Sequence, residues 1–483
     1  MPPFPDSRLL APLGLACVLG IAACGDSDTT TGTTSTSSSS SDSSSSSGTL
    51  CTPGSTEACY SGPSGTEDVG SCHGGTQTCN ADGTALSACE GEVVPSAENC
   101  VTSADEDCNG VVAACTGDLL ASADVTVSNP STSGAEVYGL AFDADGSLVA
   151  SGIFNGTMDF GAGPLTSAGG NDGFLVSFDP EAAPLGGARF GSALGEEALG
   201  IRALRDGVFA LYGRAGDVAV LGPSVIGEAP FHLFAAEVGA DLGFDKARVL
   251  TGTSAAYGEQ IAASSAGRIA IVGTFSAGTI DLGAGAVTAA GSDAFVAVYQ
   301  DDLETLAWQR ILTASGTLTL DNVEVDELGN VFVSGYGPAA LDIDGLSLDS
   351  ASRFVLGLDP TGAAVFLIPD TNAEALASDH LGGVTWSGSG LHHVDAAGVE
   401  TLTYPTRLTP FARDDFGNFV GVRNDGTNTY SLVKIDPNGG DVFARPIDLT
   451  VVRTLAIAKD GRIAVSGRSD SSALQSTIEW FAP

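Results

Sequence analysis

Basic side chains are scarce in this 483-residue chain: 19 Lys and Arg stand against 59 Asp and Glu, a formal net charge of −40. Only three lysines occur, Lys246, Lys434 and Lys459, and no Lys or Arg lies between Arg8 and Arg189. A nucleic acid backbone or an anionic membrane surface repels such a chain, which excludes nucleic acid as a partner. Methionine is nearly absent at 2 residues, no amphipathic helical run occurs, and Gly reaches 64. Short strands and turns are expected, and helical solenoids are excluded. No HExxH pair, no GxSxG elbow and no phosphate-cradling Gly loop entering a helix is present. The hydrolase and nucleotide-binding chemistries that rely on those motifs therefore have no carrier here.

What is present begins with an address. An apolar run from Leu9 to Ala23 follows Arg8 and ends at Cys24. Its 15 residues suit a secretory signal, since a membrane span takes roughly twenty. Ile21-Ala22-Ala23-Cys24 resembles the lipobox of bacterial lipoproteins. The resemblance implies a signal peptide at residues 1–23 and a lipid on Cys24. It thus implies an exported protein, lipid-anchored to the cell envelope at the outer membrane or cell surface, which meets the membrane through its anchor only. The rest of residues 24–50 is almost wholly Ser, Thr, Asp and Gly. With nothing apolar to bury, this stretch is expected to be a disordered tether.

Residues 51–118 form a second segment with eight cysteines: Cys51, Cys59, Cys72, Cys79, Cys89, Cys100, Cys108 and Cys115. An even number confined to one small exported segment reads as a disulfide framework, whose partners spacing alone does not assign. A thiolate zinc site lacks a CxxC pair. Asp105-Glu106-Asp107-Cys108-Asn109-Gly110 matches the opening of a calcium loop, in which Asp105, Asp107 and Asn109 would be the oxygen ligands. The match then fails, with Ala113 at the ninth position and Thr116 at the twelfth, where a bidentate Glu belongs. A solvated acidic turn is the competing reading. Glu98-Asn99-Cys100 together with that acidic run is similar to the metal-binding motif of Cys-rich surface proteins from myxobacteria and their relatives. The resemblance implies metal binding by this module, for which Ca and Cu are the candidate ions.

From residue 119 to 483 the chain repeats itself. A turn Gly recurs at Gly146, Gly207, Gly267, Gly329, Gly382, Gly417 and Gly461, each followed by an apolar strand. A second Gly stands six residues later in six of the seven copies: Gly152, Gly213, Gly273, Gly335, Gly388 and Gly467, with Arg423 as the exception. Each copy adds a third, aromatic and β-branched strand such as Phe174–Phe178, and a fourth that often carries an Arg (Arg189, Arg248, Arg310, Arg445). Four strands repeated seven times predict an all-β fold, a β-propeller of seven four-stranded blades. The last copy ends without a fourth strand, and Ala123–Ser128 is an orphan run before the first. That N-terminal run is expected to close the ring, leaving no free edge. Phe154 to Phe174 and Phe275 to Phe295 resemble the bacterial β-propeller repeat of secreted and surface proteins. The resemblance implies a fold and an exported location, and no particular activity.

Candidate chemistry in the ring is sparse. Asp159, Asp281 and Asp342 recur at one repeat position and read as turn caps before they read as a circle of carboxylates. His392 and His393 sit side by side in a strand and should face opposite ways. The fourth-strand arginines should neutralise outer carboxylates. No cluster that breaks the repeat is visible. No catalytic residue is assigned, and the leading expectation is a non-enzymatic binding or scaffold protein. Its partner would be an envelope protein or a glycan met by the propeller. The alternatives are a metal-binding surface protein and a polysaccharide-active propeller enzyme.

Overall fold

The computed structural model describes residues 50–483 apart from 97–98, 103, 113, 130–131, 217–218, 222–223, 227–231, 253–254, 428 and 471–473. The signal segment, Cys24 and most of the tether lie outside the described residues. The chain divides into two compact units: Met1–Ser55 with Cys79–Leu86, and Thr56–Thr78 with Ser87–Pro483. In the first unit Cys51 bonds Cys79, and the Asn80 Oδ1 accepts the Thr84 N–H at 2.9 Å to cap the turn. The second unit holds the disulfides Cys59–Cys89, Cys72–Cys108 and Cys100–Cys115. All eight module cysteines are thus paired, which supplies the framework that so few apolar residues could not.

The described residues contain strands and no helix. Seven antiparallel sheets run in chain order, each built on four strands; the first six are meanders, and the second continues through Thr279–Asp281 and Ala286–Thr288 to six strands. Sheet one comprises Gly134–Phe142, Leu148–Asn155, Asp172–Phe178 and Pro184–Phe190. The first strands of the other six are Glu196–Arg205, Ala255–Ser264, Thr319–Val325, Ala375–Ser378, Phe411–Arg413 and Val451–Ile457. Sheet seven takes its fourth strand from Leu119–Asp124, which pairs antiparallel with Thr477–Phe481. The sequence pattern puts the closing run at Ala123–Ser128; in the structure the strand runs Leu119–Asp124, overlapping it only at Ala123 and Asp124. Thr126–Val127 has already left to pair with Thr157–Asp159. Consecutive sheets share one buried apolar cluster each, and sheet seven shares another with sheet one, where Phe178 meets Trp480 edge-on at 5.1 Å. Burying rings of this size contributes about 1.5–3 kcal/mol apiece. The architecture is that of a propeller-like all-β protein.

Both repeated glycines have a physical cause. The turn glycines, from Gly146 (φ 86°) to Gly461 (φ 83°), all adopt positive φ, where a side chain would be strained. The second glycine is required for space. In sheets one, two, three, four and seven a β-bulge interrupts the first strand directly after the residue paired with it, for example between Val137 and Gly139 opposite Gly152. Sheet six has Arg423 at this position and no such bulge in its first pairing. A phenyl ring from the third strand covers the bare glycine in sheets one and two, Phe174 over Gly152 and Phe234 over Gly213, and a Phe holds the same paired position in sheets three and four, Phe295 opposite Gly273 and Phe354 opposite Gly335. This is why the third strands are aromatic.

Candidate functional site

The first strands of all seven sheets line one cavity. Its two lobes measure about 240 and 260 Å³ and share Arg202, Glu324, Leu376, Phe411 and Leu455. Strand register identifies what is unusual there. In every sheet one first-strand residue lies opposite the position three before the second repeat glycine, or before Arg423 in sheet six. Those residues are Ala141, Arg202, Ala262, Glu324, Ala377, Ala412 and Ala456. Five are alanine. Two are opposite charges, and six of the seven line the cavity. This corrects the reading that no cluster breaks the repeat. The signal was in the sequence, but it emerges only once the seven copies are registered strand against strand.

The two charges are not spent on each other. Arg202 donates to its neighbour's carbonyl, Ile201 O, at 3.0 Å and forms no ion pair among the described residues. Burial pushes the Glu324 carboxyl above the usual carboxylate range, and the field of Arg202 opposes that rise. A neighbouring cluster is arranged differently. The Tyr138 hydroxyl donates to Glu136 Oε2 at 3.0 Å, Arg453 reaches Glu136 Oε1 at 3.0 Å, and the Arg453 guanidinium lies 5.8 Å from the Tyr138 ring. Tyr138 and Arg453 are the residues that the bulges of sheets one and seven leave unpaired, which aims both at the cavity. Burial first, then the Glu136 carboxylate, pushes the Tyr138 hydroxyl up to about 12, so it stays a hydrogen-bond donor at neutral pH. Glu374, also on the wall, pairs with Arg407. These groups satisfy one another; Arg202 and Glu324 stand apart.

The acidic loop of the Cys-rich segment is arranged as a turn. Asp105 is 6% exposed, and its two carboxylate oxygens accept the Asn109 N–H (3.1 Å) and the Gly110 N–H (2.8 Å). Asp107 accepts the Asn109 N–H and side-chain amide at 3.0 and 2.7 Å, and Asn109 Oδ1 accepts the Val111 N–H at 2.8 Å. Among the described residues no three His, Cys, Asp or Glu side chains converge as a metal site would need. Asp105→Ala is expected to cost about 1–3 kcal/mol by leaving the Gly110 amide unpaired, since the Asn109 N–H keeps its second acceptor, Asp107 Oδ1. Amide exchange at Gly110 should speed up more than at Asn109, which keeps its bond to Asp107. A calcium-induced rise in the wild-type melting temperature would favour the metal reading, and no change would favour the turn.

The recurring aspartates are turn caps in the same sense. Asp159 Oδ1 accepts the N–H groups of Gly161 and Gly163 at 2.6 and 3.0 Å, Asp281 does so for Gly283 and Gly285 at 2.7 and 3.1 Å, and Asp342 takes Gly345 at 3.1 Å. Three of the four fourth-strand arginines meet carboxylates: Arg189 with Asp172, Arg310 with Asp344 and Arg445 with Asp118. Arg248 does not. It lies 4.7 Å from the Tyr299 ring and donates to the carbonyls of Leu282, Leu303 and Glu304. His392 and His393 do diverge. The first stacks on Trp386 and contacts Glu400 at 3.0 Å, and the second meets Asp379 at 3.1 Å.

No protein-family model matches the chain, and no curated protein matches it. Solved structures similar to it include the β-propeller domain of the Trilobed protease from Pyrococcus furiosus (10% identity, 72% of this chain and 95% of that one, TM-score 0.44). The Dos1 propeller is similar at 6% identity, with 74% and 93% covered and a TM-score of 0.39. Sqt1 from Chaetomium thermophilum is similar at 11% identity, with 76% and 99% covered and a TM-score of 0.41.

Proposed function

We propose that residues 119–483 form a seven-bladed β-propeller closed by Leu119–Asp124, borne on the cell envelope by lipidated Cys24. We read it as a non-enzymatic binding protein whose ligand site is the central cavity. The observation that carries this reading is the Arg202 and Glu324 pair, set where five other blades have alanine. A charged pair in that layer adds nothing that the repeat needs for folding, and it faces the one place that all seven first strands share. Closure is supported by the shared core of sheets one and seven and by the pairing of Leu119–Asp124 with Thr477–Phe481. A polysaccharide-active enzyme needs two free carboxyl groups flanking its scissile bond. Of the two wall carboxyls that both face the shared lobe, Glu374 is held by Arg407, which leaves Glu324 without a second.

The test uses the full chain displayed on cells and its purified form. Wild type and an Arg202→Ala/Glu324→Ala variant are compared on a glycan array and in pull-downs from envelope extracts. The expected result is capture by wild type and its loss in the variant. Equal capture by both would remove the cavity from the reading, and product release from any polysaccharide would replace binding with catalysis. Cys24→Ser should move the protein from the membrane fraction to the soluble one.

A further inference from the structure

We infer that the Arg202/Glu324 layer is a subsite for a small zwitterion, the ammonium and carboxylate ends of a free amino acid or short peptide. The inference rests on the cavity being the ligand site and goes on to name the ligand's chemistry. Arg202 belongs to sheet two and Glu324 to sheet four, with sheet three between them contributing only Ala262 at the same register position. A guanidinium and a carboxylate therefore face a shared space with a missing side chain between them. They feel each other's field without touching. Eleven of the fifteen arginines from Arg189 onward form ion pairs among the described residues; Arg202 is one of the four that do not, and Arg413, another, lines the same lobe.

The charge of the whole molecule decides between ligand classes. At −40 the protein repels a net anion as it approaches, and a net cation would leave the Arg202 guanidinium without a counter-charge. A zwitterion is indifferent to that long-range field and responds only to a local pair of opposite charges. Each half-buried charge then gains a partner whose own charge is also satisfied, which is the condition under which desolvating both is offset. Arg202 offers the planar fork that a carboxylate accepts. Lobes of about 240 and 260 Å³ are small beside pockets for drug-sized ligands, so a ligand of a few residues suits them and a folded partner does not.

The probe is triglycine, titrated calorimetrically into the full protein beside N-acetyl-triglycine and triglycine amide. Triglycine should bind, and each capped peptide should bind at least about tenfold more weakly, because each lacks one charge. Arg202→Ala and Glu324→Ala should each lose at least about tenfold in affinity while melting as wild type does, since alanine already fills five of the seven positions. The exchanged pair Arg202→Glu/Glu324→Arg should retain more affinity than either single variant. Capped peptides binding as well as triglycine would overturn the inference. So would a wild type that ignores millimolar triglycine. If triglycine fails while envelope capture still depends on Arg202 and Glu324, the zwitterion is wrong and the cavity reading stands. If both fail, both fall.

Discussion

Gly152→Ala is expected to lower the melting temperature by about 4 °C or more, a loss of at least about 3 kcal/mol. A Cβ on Gly152 would lie 1.9 Å from the Glu136 carbonyl oxygen and 2.8 Å from the Phe174 ring. The first obstacle is backbone, so no rotamer change relieves it. Moving it would unmake the bulge that aims Tyr138 at the cavity, and moving Phe174 would open the cluster shared by sheets one and seven. The same close approach recurs at Gly213 (2.1 Å from Glu197 O), Gly335 (2.0 Å from Thr319 O) and Gly467 (2.1 Å from Val451 O). Alanine at any of these should cost a comparable amount. Gly186→Ala is the control: its nearest neighbour would be 3.9 Å away, and the change should stay within about 0.5 kcal/mol. Thermal melts of the five variants check the set. If Gly152→Ala melts with Gly186→Ala, the bulge does not depend on the bare glycine.

The same glycines explain how much of the fold the sequence revealed. Their six-residue spacing records a turn needing positive φ followed by a bulge needing space, two local demands that every blade repeats. Local demands leave periodic marks, so the strands, their number per copy and the aromatic third strand were readable. Pairings that depend on distant parts of the chain left no such mark. The disulfide partners of Cys51 through Cys115 were undetermined for that reason, since the alternatives are of order a hundred. The end of the closing strand was misplaced because Thr126 and Val127 are good strand residues with a different partner, Met158 and Asp159. Arg248 broke its pattern because Tyr299 and three carbonyls reach it before any carboxylate does. The Arg202 and Glu324 pair lay hidden for a third reason. Each looks like an ordinary surface charge until strand register puts it level with alanines from five other copies.

Glu479→Gln is expected to raise the melting temperature at pH 8 by about 4 °C while leaving it nearly unchanged at pH 5. Glu479 lies on the strand Thr477–Phe481, paired with Ser122 of the N-terminal strand, and is 5% exposed. Its Oε2 is buried without a hydrogen-bond partner. Burial first, then the nearby Asp448 and Asp124 carboxylates, raises its pKa from 4.5 to about 7. Asp124 faces it from the N-terminal strand, where its Oδ1 accepts the Thr477 hydroxyl at 2.6 Å, and Asp448 follows the fourth strand of sheet six. A carboxyl whose folded pKa is raised favours the fold in its protonated form. Its contribution is complete below pH 4.5 and is lost as pH rises through 7, up to about 3 kcal/mol in all. Glutamine keeps the shape and cannot ionise, so the variant should not share that loss. The difference between the two proteins isolates this residue from the many other titrating acids. Because the charge forms between the first and last strands of the repeat domain, hydrogen exchange should quicken first in Leu119–Asp124 as pH rises from 5 to 8, and only in wild type. Parallel melting curves for the two proteins across that range would mean that Glu479 is already ionised when folded, with a partner that offsets its burial.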